Sequence, residues 1–120
     1  MAKKGYRVVL LDLSPQCLEL ARKKIARAGV KDRVEQIIEG SITDLSMFDD
    51  ETFDAVLCLG PFSHLIERSQ REKAASEVVR VAKRGAPLFI AVISLYGVFR
   101  TVLQRLQHEL TDPDHRELFT

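Results

Sequence analysis

The chain has 120 residues, 46% of them hydrophobic and 29% charged, with a formal net charge of +1 at pH 7. That length suits a single domain over 1–120, able to bury roughly two thirds of the surface its unfolded form exposes. The near-neutral charge gives no electrostatic case for nucleic acid or an acidic membrane, and no apolar run approaches the ~18 residues a membrane span needs.

Cysteine usage points the same way. Cys17 and Cys58 stand far apart in apolar surroundings, which predicts buried free thiols, no metal site and a reducing, cytoplasmic setting.

Taken in order, Ala2 to Gly5 reads as the last turn of a helix closed by glycine, with two lysines where a helix C-terminus favours positive charge. Next comes the unbroken apolar run Val8 to Leu11, which predicts a parallel strand covered on both faces. It stops at Asp12. Parallel α/β sheets bind ligands at the carboxyl ends of their strands, and a carboxylate there can accept both hydroxyls of a ribose. The plainer alternative is a surface or helix-capping carboxylate. Ser14 caps a helix over Pro15 to Ala28, with Cys17, Leu18, Ala21, Ile25 and Ala28 on its buried face and Gly29 as its stop.

Val34 to Glu39 is a second, more polar strand suited to a sheet edge, followed by Gly40 and a loop from Ser41 to Met47. A turn at Asp49 to Thr52 leads to a third strand, Phe53 to Leu59, which ends at Gly60-Pro61. Ser69 and Glu72 form a capping-box pattern for a helix to about Lys83 that buries Ala74, Ala75, Val78, Val79 and Ala82. Lys83 to Pro87 turns the chain into a fourth strand, Leu88 to Ile93. Tyr96 to Leu110 then carries Phe99, Val102, Leu103, Leu106 and Leu110 at helical spacing, read as core packing, before Asp112-Pro113-Asp114 ends it. This alternation predicts right-handed βαβ units in an α/β, parallel, doubly wound sheet of about four strands flanked by helices.

Four separated stretches together resemble class I S-adenosylmethionine-dependent methyltransferases, a Rossmann-like family. Val9 to Pro15 is similar to that family's second strand and helix cap. Glu39 to Leu45 and Phe53 to Gly60 resemble its adenine loop and fourth strand, and Glu77 to Gly85 its segment before the fifth strand. The resemblance implies S-adenosylmethionine as cofactor and methyl transfer to a small-molecule acceptor. It implies that Asp12 holds the ribose diol and that Leu13 packs on the nucleoside. Ser41 and Ile42 would read the adenine amino edge, by side chain and backbone N–H respectively, and Leu59 and Gly60 would line the floor near the methionine part. Ser41 stands where the family commonly has Asp; its hydroxyl can still accept from the amine, at about half the strength of a carboxylate. Asp12 alone would equally suit an NAD-binding dehydrogenase, and the adenine-loop and fifth-strand matches decide against it.

His64 follows a strand terminus where substrates arrive and is the candidate base toward an acceptor hydroxyl or amine. The reading preferred for it is a histidine bonding a backbone group at a helix start, because many methyl transfers need no base. His108 and His115 read as exposed. Tyr96 could face an acceptor.

Only 11 residues precede Asp12, with Gly5 the one glycine among them, whereas the family's first strand and G-x-G-x-G loop belong about 15 to 25 residues upstream. The expectation is therefore a truncated sheet in which Val8 to Leu11 pairs directly with Ala55 to Cys58, with homo-oligomer formation through uncovered helix faces. These 120 residues alone are expected to bind cofactor weakly and to transfer no methyl. The rival function is a non-catalytic, truncated homologue acting as a binding or interaction module.

Overall fold

A proline that needs no N–H partner, a serine cap and a terminal glycine should delimit a helix sharply, and they do. In the computed structural model, which describes the backbone of residues 1–111 and the side chains of residues 1–107, helix α1 spans Pro15–Ala28. Ser14 Oγ accepts the Cys17 N–H at 3.2 Å, and Gly29 closes the helix at φ 64°. Leu18 is buried, with Ala21, Ile25 and Ala28 half-buried beside it. Cys17, expected to be buried, is exposed: one residue before Leu18 turns it about 100° away from the buried stripe. Cys58 is buried as expected, and burial pushes its thiol pKa up.

Strands β1 (Val8–Asp12) and β2 (Val34–Glu39) flank α1 and pair in parallel, Leu10 opposite Ile37 and Asp12 opposite Glu39. Strand β3 (Val56–Leu59) pairs in parallel with β4 (Leu88–Ala91), joined through helix α2 (Arg68–Val81). Phe53 makes only an isolated bridge to Ala82, so β3 is shorter than the sequence predicts. Helix α3 spans Leu95–Thr111. The βαβ architecture and parallel pairing are those of a Rossmann-like α/β fold.

The predicted pairing of β1 with β3 does not form. The strands make two separate two-stranded sheets, β1-β2 and β3-β4. The cost of unpaired strand groups, which argued for closure, applies to fully buried edges; here β1 is half-buried, and in β3 Leu57 and Leu59 are exposed with Cys58 alone buried. Leu11 of β1 and Val56 of β3 both pack on the cluster Leu45, Val78 and Val81, with Phe48 and Phe53.

A charged clamp fixes that cluster. Arg80 on α2 reaches Glu77 with Nε at 2.8 Å and Nη2 at 3.0 Å, Asp50 with Nη1 at 2.8 Å, and the carbonyls of Phe48 and Leu45 at 2.9 Å each. Glu77 Oε2 in turn accepts the Leu45 N–H at 2.6 Å. The connection from β2 to β3 is thereby bound to α2.

Several finer expectations fail for identifiable reasons. No capping box forms at Ser69: α2 starts two residues earlier than that cap would set, behind Glu67, and Glu72 pairs with Arg68 at 2.7 Å. Arg71 ties that helix start to the carbonyls of Leu65 and Ile66. The inner face of α2 is Ala74, Val78 and Val81, while Val79 is 62% exposed and Ala75 exposed. Phe99, Val102, Leu103 and Leu106 are exposed on α3 rather than packed in the core. The predicted stop at Asp112 to Asp114, His115 and the side chains of His108 and Leu110 lie outside the described residues. Among those described, no helix is long and apolar enough to cross a membrane.

The clamp makes stability pH-dependent in a definite direction. Hydrogen bonds from Arg80 and from the Leu45 N–H hold the Glu77 carboxyl below the ordinary glutamate range. A depressed folded-state pKa contributes stability that is fully present above the unfolded-state pKa and lost as pH falls through the folded one. Urea midpoints measured from pH 7 downward should fall below the ordinary glutamate range, and Glu77→Gln should start lower and flatten that part of the profile. An unchanged profile in the variant would remove Glu77 from the clamp.

Candidate functional site

The candidate residues fall into two groups, one at the carboxyl end of each strand pair. In the first, Asp12 ends β1 and its Oδ1 accepts the Ser14 N–H at 2.8 Å, an Asx turn that sets Ser14 to cap α1. Its Oδ2 takes no hydrogen bond from the described residues. Leu13, inside that turn, is 67% exposed.

The loop after β2 starts beside Asp12, because the Gly40 N–H donates to the Asp12 carbonyl at 3.0 Å. Ser41, Ile42 and Thr43 follow, all half-buried. Ser41 Oγ accepts the Thr43 N–H at 3.2 Å and shares a 2.8 Å hydrogen bond with Thr43 Oγ1. The Asp44 N–H returns to the Ser41 carbonyl at 3.1 Å. Asp44 itself is turned to Ser46, whose N–H it accepts at 3.1 Å, and hydrogen bonding from the Ser46 hydroxyl and then from that N–H holds its carboxyl below the ordinary range. The Ile42 N–H donates to no described group. One edge thus presents a free carboxylate oxygen, an exposed leucine and an unengaged N–H, an arrangement able to take a diol and a polar ring edge.

In the second group, Leu59 ends β3 and is 66% exposed. Gly60 follows at φ 113° and ψ −33° and opens the 3-10 turn Pro61–His64, its carbonyl accepting the Ser63 N–H at 2.9 Å. His64 closes that turn, exposed, and its ring makes no hydrogen bond with the described residues, so the backbone bond expected for it does not form. Ser63 Oγ accepts the Ile93 N–H at 2.9 Å and ties this loop to the strand end after β4. Tyr96 is exposed at the start of α3. The two groups are joined through the shared core contacts of Leu11 and Val56.

Sequence reasoning named Ser41 and Ile42 but missed Thr43 and Ser63. The Ser-x-Thr spacing of residues 41 to 43 was an available signal, since such residues bond the backbone two positions on. Nothing local marks Ser63, whose partner lies thirty residues away.

Parallel βαβ units with polar loops gathered at the strand ends define a Rossmann-like α/β fold. Residues 1–90 match the methyltransferase domain family, and the chain belongs to it. It is 40% identical over 78 residues to the erythromycin 3''-O-methyltransferase of Saccharopolyspora erythraea, a match covering 65% of this chain and 25% of that protein. It is 31% identical over 87 residues to the catechol O-methyltransferase of Mycobacterium tuberculosis, covering 70% of this chain and 36% of that one. The crystal structure of the PH0226 protein from Pyrococcus horikoshii superposes with a TM-score of 0.72 at 27% identity, over 87% of this chain and 44% of the other. The chain therefore spans about a quarter to a third of the length of these curated relatives.

The Gly60 turn can be probed directly. An added Cβ would meet nothing within 4 Å there, so any penalty is one of backbone conformation alone. Gly60→Ala should cost about 1 to 3 kcal/mol of stability, the usual price of a side chain in a sparsely populated region, read from chemical denaturation. A neutral effect would mean that the turn relaxes to negative φ.

Proposed function

We propose that this chain carries the nucleoside-holding part of an S-adenosylmethionine-dependent methyltransferase acting on a small-molecule acceptor. The observation that carries the reading is the Asp12 carboxylate, poised at the end of β1 with one oxygen fixed by Ser14 and the other free. Membership of the methyltransferase domain family supports the cofactor, and O-methyltransferase relatives support an acceptor hydroxyl. The donor set fits such a cofactor: Oδ2 of Asp12 accepts the ribose diol, exposed Leu13 packs against the nucleoside, and the Ile42 N–H meets an acceptor on the adenine edge. Leu59 and Gly60 line the floor toward the methionine part.

When bound, S-adenosylmethionine supplies a methyl on a sulfonium, already a strong electrophile, so the protein's part is alignment. His64 projects from the loop after β3 with an unengaged imidazole, and it would take the proton from the acceptor oxygen. The glycine-rich cradle for the methionine end is not encoded among residues 1–120, where Gly5 alone precedes Asp12. This chain alone is accordingly assigned weak cofactor binding and no methyl transfer.

Titration calorimetry with S-adenosylhomocysteine tests the site. Asp12→Ala should weaken binding by about 2 to 4 kcal/mol, from two charge-assisted hydrogen bonds of about 1.5 to 3 kcal/mol each, partly replaced by water. Equal affinity in the variant would take Asp12 out of the site. His64→Ala is the matched control: affinity should stay within about twofold, since the ring sits on the second strand pair. A large loss there would place the nucleoside against β3 instead.

A further inference from the structure

We propose that helix α3 is the seam of a homodimer, packing antiparallel against α3 of a second copy of this chain. Every side chain described along it, residues 95 to 107, is exposed. Yet Leu95, Phe99, Val102 and Leu106 follow the spacing of four, three and four residues that draws one apolar line along a helix. These four are 49 to 86% exposed. Val98 and Leu103 flank the line, and Arg100, Thr101 and Gln104 occupy the opposite face. A helix of this length draws most of its stability from burying such a line, and no described element of this chain buries it.

The area left uncovered is that of an interface. The chain exposes 9676 Å², whereas a folded 13.6 kDa monomer exposes about 6,600 Å². Even with residues 108–120 allowed the whole surface of an unfolded segment, about 2,300 Å², the remainder stands about 1,400 Å² above a folded chain of its size. An obligate homodimer buries about 1,000 to 2,500 Å² per copy, so the surplus matches one such contact.

The apolar line is complementary to itself in one direction. With a two-fold axis between Arg100 and Thr101, Leu95 meets the partner's Leu106 and Phe99 meets the partner's Val102. The bulky ring then faces a smaller side chain, as close packing requires, whereas a parallel pair stacks Phe99 on Phe99 in one layer. On one flank Leu103 falls near the partner's Tyr96, and on the other Val98 falls near the aliphatic stem of the partner's Arg105. The two Arg105 side chains start about 13 Å apart along the axis, beyond the ~8 Å over which charges are felt at physiological salt. One patch serves both copies, so the assembly closes at two.

Sedimentation equilibrium of the 120-residue chain should show a monomer–dimer equilibrium between about 1 and 100 μM, and Phe99→Glu should weaken it by about 100-fold or more. Direction is read with the centre of the seam unaltered. Leu95→Cys and Leu106→Cys chains, each also carrying Cys17→Ser, are mixed in a glutathione redox buffer. Two copies of position 95 lie about 16 Å apart along the antiparallel axis, too far to bridge, so the mixed disulfide should exceed either self-disulfide by about tenfold or more. If Phe99→Glu fails to fold, the disulfide measurement decides alone. A chain that stays monomeric, or whose mass climbs past the dimer, overturns the proposal. So does a preference for self-disulfides, or a dimer unaffected by Phe99→Glu, which would place the contact on exposed β4 instead.

Discussion

The bond network around Arg80 is the constraint on which the rest of the architecture depends. Two sheets of two strands each have little reason to stay together, since they share no ladder hydrogen bonds. What joins them is the apolar cluster that Leu11 and Val56 share, and that cluster is fixed by one partly buried guanidinium spanning Glu77, Asp50 and the carbonyls of Leu45 and Phe48. A planar donor with five N–H groups can do this; an ammonium on a flexible stem cannot fill the same positions together. With the 45–50 segment bound to α2, Leu45 is held against Val78 and Val81, and Leu11 and Val56 acquire a common surface. The apolar cluster contributes the burial, and the clamp specifies where it forms.

The same constraint reaches the site. Ser41 to Asp44 lead directly into the clamped segment, and their other end is tied to Asp12 through Gly40. The loop is thus held at both ends by hydrogen bonds, which suits a segment proposed to present an N–H to a ligand. The loop after β3 is held in a comparable way, by the Gly60 turn on one side and the Ser63 bond to Ile93 on the other. Each strand pair therefore delivers one tethered loop to its carboxyl end.

What could be read from the sequence was local, and what could not was relational. Pro15–Ala28 was legible to the residue because cap, first-turn proline and terminal glycine are all encoded within a few positions. Val34–Glu39 was equally clear, and so was Asp12 at the end of an apolar run. The failures involve partners distant in sequence. The capping box at Ser69 was a valid local pattern, outcompeted when Arg68 took Glu72 and Arg71 took the preceding carbonyls. Val79 and Ala75 fit the helical period but sit off the stripe that Leu45 selects. The contracted sheet failed because its argument assumed buried edges, and burial is decided by the whole assembly of elements. The roles of Arg80 and Glu77 were hidden for the same reason: a Glu and an Arg three apart on a helix read as a surface pair until the loop they grip is known.

Asp12 also shows why a structural and a functional reading of one residue need not compete. Its Oδ1 accepts the Ser14 N–H, which sets the backbone so that Ser14 caps α1 and Leu13 stands outward. That is the capping role the plainer reading assigned to it. The bond also fixes the plane of the carboxylate, so Oδ2 is presented in one orientation rather than swept through several rotamers. A ligand that accepts this geometry pays less conformational entropy on binding than it would against a free side chain. The helix start is therefore part of the proposed binding site: the turn that begins α1 is what pre-organises the oxygen proposed to meet the ligand.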